Sequence, residues 1–132
     1  MIELTQDQAA ALVAHAREAF PNECCGLLAG RQGRVKRIFR GTNVDRSPYT
    51  YLMEPKEQLA AFKDMEAAGL DLLAIYHSHT HTAAYPSKTD VAKAYYPDAI
   101  YVIISLLDQG QPAIKGYRIM DGQIADEKVI VR

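Results

Sequence analysis

From residue 5 the chain runs through distinct hydrophobic patterns in turn. Ala9, Leu12, Val13, Ala16 and Phe20 recur at helical spacing, and Thr5 with Gln8 forms a capping box ahead of them. That predicts a helix over 5–20, stopped by Pro21. "CCGLLAG" reads as a short buried strand, "RQGR" as a turn and "VKRIFRGTN" as a second strand, with "SPYTYLM" as a possible third. Pro55 suits the first turn of a second helix, which carries Leu59, Phe62 and Met65 inward and ends near Gly69. "DLLAIYHSH" then reads as a strand that is apolar at first and polar only at its end. "PSKTDVAKAYY" predicts a third, short helix with Ser87 as N-cap. "AIYVIISLL" reads as a buried strand, and "AIKGYRIM" and "QIADEKVIV" as a closing pair around the turn "DGQ". This order predicts a mixed α/β fold, one curved sheet with helices against it.

Composition narrows the class. The 132 residues suit a single domain over 1–132, able to bury roughly two-thirds of its unfolded surface without a staple. Fifteen basic and sixteen acidic residues give a formal charge of −1, so no bulk pull toward nucleic acid or anionic lipid is expected. The two cysteines, Cys24 and Cys25, are neighbours and cannot staple distant segments, which suits a reducing cytoplasm. "MIELTQDQ" lacks the basic-then-apolar order of a signal peptide. "AIYVIISLL" is about half the length of a membrane span. A cytoplasmic protein is expected.

The stretch "HSHTHTAAYPSKTD", residues 77 to 90, changes the picture most. Strand alternation puts His77 and His79 on one face, and two imidazoles side by side at a strand end are half of a zinc site. Two residues compete as third ligand: His81, if the strand runs on, and Asp90, delivered by the short helix. The Ser87–Asp90 spacing is also that of a helix capping box. A hydrolase built on such a site needs a general base that does not ligate the metal. Glu23, Glu54 and Glu57 are candidates; Glu23 stands out because a charge is unexpected at the entry to an apolar strand.

H-S-H, a serine ten residues after the first histidine and an aspartate thirteen after it resemble the JAMM motif of the MPN+ metallopeptidases. "PNECCGLLAG" is similar to that family's first block, in which a glutamate precedes C-G-L-L at a strand start. The two blocks lie about fifty residues apart with a helix between them, again as in the family. The resemblance implies an MPN-type fold, a curved mixed sheet flanked by helices. It implies that His77, His79 and Asp90 bind one zinc ion per chain, that Glu23 is the general base and proton shuttle, and that Ser87 helps to stabilise the oxyanion. Cys24 and Cys25 then pack as small apolar residues rather than act as nucleophiles. There is one departure: Thr80 and the extra His81 follow the second histidine, where the family usually has proline.

The chain looks like the short, stand-alone prokaryotic members of that family. Those similar proteins act on the C-terminal tails of small ubiquitin-like or sulfur-carrier proteins, releasing an amino acid such as cysteine or trimming to Gly-Gly. A zinc peptidase of that kind is the expected function, with a non-catalytic MPN-type scaffold as the alternative. A multi-metal phosphoesterase would need more histidines than His15 adds outside the cluster. The H-x-E and P-C-x-x-C signature of a zinc nucleobase deaminase is absent.

Overall fold

A computed structural model describes residues 1–132. The elements in chain order are β1 (Ile2–Leu4), α1 (Gln6–Ala19), β2 (Cys25–Arg31), β3 (Arg34–Gly41) and α2 (Pro55–Ala68). They continue with β4 (Asp71–His79), α3 (Lys88–Ala92), β5 (Ile100–Ser105), β6 (Ala113–Met120), β7 (Gln123–Glu127) and β8 (Val129–Val131). All eight strands form one sheet in the order β7-β6-β5-β4-β2-β3-β1-β8. The sheet is mixed: β2 runs antiparallel to both β3 and β4, while β4 and β5 are parallel.

The curvature follows from the two edges. β7 and β8 stand at opposite ends of the strand order, yet only Lys128 separates them in the chain. The sheet must therefore curl until its edges nearly meet. An added Cβ on Gly116 of β6 would meet Val129 of β8 at 2.9 Å, so glycine is needed where the two edges approach.

Both faces of the sheet are covered, which is why the central strands read as unbroken apolar runs. Ala74 and Tyr76 of β4 join Leu12 and Ala16 of α1, with Leu28, Val102 and Ile104, in one buried cluster. Ile75 joins Ala61 and Met65 of α2, with Leu27, Tyr101 and Ile103, in the other. Alternation along β4 therefore sends His77 and His79 to the α2 side. The predicted turns are tight hairpins, with φ of 52° and 76° at Gln32-Gly33 and again at Asp121-Gly122.

The structure departs from the sequence reading in six places. α3 ends at Ala92, short of the Tyr95-Tyr96 end of the predicted third helix. β1 has no counterpart in it, because three residues are too few for alternation to register. "SPYTYLM" is no strand; the segment between β3 and α2 makes a single bridge, Asn43 to Met53. Leu59 is 55% exposed rather than inward, since six residues at about 100° each turn it about 120° away from Met65. Phe20 is the C-cap of α1 and more than a third exposed. "QIADEKVIV" divides at Lys128 into β7 and β8, because it must leave one sheet edge and join the other. No helix is long and apolar enough to cross a membrane.

Candidate metal centre

The end of β4 carries His77 and His79, and α3 brings Asp90 to them. His77 Nε2 lies 3.2 Å from His79 Nε2, and Asp90 Oδ2 lies 3.1 Å from the first and 2.9 Å from the second. Four-coordinate zinc with bonds of about 2.05 Å has ligand atoms about 3.3 Å apart, so this triangle is close to one face of such a tetrahedron. Both histidines are buried, and the Asp90 side chain is 8% exposed.

Local chemistry fixes each side chain. His79 Nδ1 is 2.8 Å from the Ala83 carbonyl, which can only accept, so Nδ1 carries the proton. In the neutral ring Nε2 is then bare, and it faces a carboxylate oxygen. That contact at 2.9 Å is satisfied by a proton on Nε2 or by a metal ion between the two atoms, and with His77 Nε2 beside them the three atoms make a group that could hold a metal. Asp90 is set by the capping box: Ser87 N–H donates to its Oδ2 at 2.9 Å, and Asp90 N–H donates to Ser87 Oγ at 3.0 Å. Tyr51 stacks on the His77 ring at 4.5 Å between centroids and 23° between planes. His77 Nδ1 is buried without a partner.

The metal-free electrostatics follow from burial and proximity. Desolvation lowers the His77 pKa and outweighs the pull of Asp90. His79 is also pulled down by burial, but Asp90 and the Ala83 carbonyl outweigh this and its pKa rises. Burial works to raise Asp90, yet the hydrogen bonds to His77 and His79 hold its carboxyl well below the usual carboxylate range.

Glu23 arrives on the strand next door. Cys25 is the register partner of His77, and Cys24 and Ser78 exchange two hydrogen bonds: Cys24 N–H to Ser78 Oγ at 2.8 Å, Ser78 N–H to Cys24 O at 3.1 Å. Continuing that ladder sets Glu23 opposite His79, on the same face as the cluster. The residue is 4% exposed and its Oε1 has no partner. Desolvation raises its pKa to about 8, with nearby His79 opposing and Asp90 adding. A buried carboxyl left without a partner is costly and needs a reason. Glu54 and Glu57 serve structure instead. Glu54 caps α2 by accepting from Glu57 N–H at 2.9 Å, and Glu57 accepts from Thr42 N–H at 3.0 Å.

Of the two candidate third ligands, Asp90 is in the cluster and His81 is not. β4 ends at His79; His81 is exposed, bonded to Thr80 Oγ1 at 2.8 Å and 5.5 Å from the Phe20 ring. Thr80 Oγ1 donates to Pro48 O at 3.1 Å, tying the end of β4 to the segment after β3. Sequence reasoning missed that tie and Tyr51, because no periodicity marks an irregular segment. Cys24 and Cys25 are buried, and burial pushes their thiols up to about 11 and about 12, so neither is a poised nucleophile.

The fold and this donor set define a JAB/MPN-type chain. The model of the prokaryotic homologs of the JAB domain matches residues 5–119, and the chain belongs to that family. It is 44% identical to the CysO-cysteine peptidase of Mycobacterium tuberculosis, over 99% of this chain and 91% of that one. It is 40% identical to a probable TtuB-protein conjugate cleaving protease of Thermus thermophilus, over 83% of this chain and 70% of that one. A solved structure of a Desulfitobacterium hafniense protein superposes with a TM-score of 0.92 at 41% identity, covering 100% of this chain and 93% of that one.

Proposed function

We propose that this chain is a zinc-dependent peptidase that cleaves an amide or isopeptide bond at the C-terminal tail of a small ubiquitin-like or sulfur-carrier protein. The observation that carries the reading is the convergence of two imidazole Nε2 atoms and one carboxylate oxygen within 2.9–3.2 Å of one another. His77, His79 and Asp90 hold the ion. The relatives' names make a carrier tail ending in cysteine the first substrate to test.

Zinc, when bound, supplies a Lewis acid that acidifies a water and polarises the scissile carbonyl. Glu23 takes the proton from the attacking water and hands it to the departing amine. Its carboxyl is buried opposite His79 with Oε1 unpartnered, which leaves it open to accept that proton and pass it on. The Ser87 oxygen already accepts Asp90 N–H, which leaves its own O–H free for the developing oxyanion. Beneath Asp90 lies an apolar pocket walled by Tyr51, Leu27, Ile75 and Tyr101, where a tail residue can dock. The reaction takes place in the cytoplasm, within one domain.

The test joins metal analysis to an assay. Purified protein carries about one zinc per chain and releases cysteine from a carrier with a Gly-Gly-Cys tail; a chelator abolishes cleavage and leaves the fold largely intact. Cooperative unfolding on chelation would make the ion structural. Zinc-loaded protein inert on every tailed carrier would make the chain a scaffold.

A further inference from the structure

The segment between β3 and α2 has no regular structure, yet it meets the candidate centre at four points. Ser47 O accepts Glu23 N–H at 2.9 Å, Asn43 Nδ2 donates to Glu23 O at 3.0 Å, Pro48 O accepts from Thr80, and Tyr51 covers His77. Both polar atoms of the Glu23 peptide are therefore held by this one segment, outside the β2–β4 ladder. Glu23 lies two residues before β2 begins, so the sheet alone does not fix its backbone.

Asn43 is the residue on which that hold converges. Its Nδ2 donates to Glu23 O and to Thr50 O, each at 3.0 Å. Its Oδ1 accepts Asp45 N–H and Leu52 N–H, each at 3.0 Å. One half-buried amide thus uses both donor hydrogens and both acceptor sites. The Oδ1 bonds and one Nδ2 bond close the segment on itself. The other Nδ2 bond reaches out of it to Glu23.

We propose that Asn43 is a positioning residue for the reaction, acting through Glu23. It locks the 43–53 segment and couples its placement to the backbone of the general base. The Glu23 carboxyl has no partner on Oε1. Its aim therefore depends on where its backbone is held, and displacing a base by about 1 Å costs on the order of 10²-fold in rate. The inference rests on the assignment of Glu23 as general base.

Asn43→Asp tests it. The substitution keeps an acceptor for Asp45 and Leu52 and turns the donor toward Glu23 O and Thr50 O into a repelling oxygen. On a tailed carrier, kcat falls on the order of 10–100-fold while KM stays within about threefold and zinc remains at one per chain. In a Glu23→Gln background the same substitution costs less than about twofold more, because both changes disable one unit. Asp45→Ala removes only the acceptor for the Thr50 hydroxyl within the segment and leaves kcat near the parent value. An equal loss in both backgrounds, a loss confined to KM, or a loss that tracks zinc content overturns the inference. If Asn43→Asp does not fold, Asn43→Ala is read the same way; failure of both to fold makes Asn43 structural. A Glu23→Gln enzyme with full turnover sinks the base assignment itself, whereas an inert one beside an unaffected Asn43→Asp sinks only the positioning role.

Discussion

The two faces of β4 are equally buried and differ in what they leave undone. Toward α1, Tyr76 OH meets His15 Nδ1 at 2.7 Å, and Ser78 Oγ accepts Cys24 N–H at 2.8 Å. Every buried polar side chain there has a partner. Toward α2, one residue away in each direction, His77 Nδ1 and Glu23 Oε1 have none, and two imidazole Nε2 atoms converge on one carboxylate oxygen. Folding alone tends to produce the first kind of face, because an unpaired buried polar group costs about 1–3 kcal/mol. The second is the kind of face that the proposed ion and substrate would complete. In this strand the mark of function is unsatisfied polarity, not polarity as such.

The sharpest way to break that contrast is to remove the proton acceptor and keep its shape. Glu23→Gln binds zinc normally and loses turnover by ~10²–10⁴-fold. Near-parental activity in that variant would reduce Glu23 to a misplaced structural carboxyl and make the two faces alike.

The same variant bears on stability once zinc is stripped. Glu23 has its pKa raised by burial to about 8 in the folded chain, against about 4.3 in the unfolded one. Between those values the folded state keeps a proton that the unfolded state has lost. The group's contribution is thus fully present below about pH 4.3 and is lost as pH rises toward 8. Metal-free parent protein therefore loses stability relative to metal-free Glu23→Gln over that interval, by on the order of a few kcal/mol. Urea melts of both at pH 5 and pH 8 read the difference. Parallel profiles would contradict a buried, uncompensated carboxyl.

The α1 side predicts the opposite pattern. Ser78→Ala leaves Cys24 N–H without its side-chain partner and costs about 1–3 kcal/mol in a denaturant melt. Its zinc content and kcat stay near the parent values, although Ser78 lies between the two histidines. A selective loss of zinc there would blur the division between the faces.

Much of this was legible in the sequence, and the physical reason separates what was from what was not. α1, α2, β4 and β5 carry strong periodicity or unbroken apolar runs, so their place in the chain was readable. The strand period put His77 and His79 together, and the capping signal at Ser87 placed the helix that delivers Asp90. Local rules thus brought the candidates into view, whereas the choice of Asp90 over His81 came from the family resemblance. Leu59 and Phe20 went wrong because apolar spacing does not say which part of a helix face meets the sheet. The 43–53 segment was opaque, since its order comes from the side chain of Asn43 and from Tyr51 stacking rather than from a repeat. Glu23 was suspect as a charge at an apolar strand, but only the β2–β4 register carried past Cys25, together with the hold of the segment after β3, sets it across from His79.

The central claim is that the third ligand comes from α3 and not from the end of β4. Metal content measured on Asp90→Ala and His81→Ala, purified side by side, tests it most directly. The geometry predicts that Asp90→Ala loses zinc and activity, because the only carboxylate in the triangle is gone. His81→Ala retains about one zinc per chain, since that ring is exposed and bonded to Thr80 instead. Zinc retained without Asp90 and lost without His81 would contradict the site, and with it the mechanism built on it.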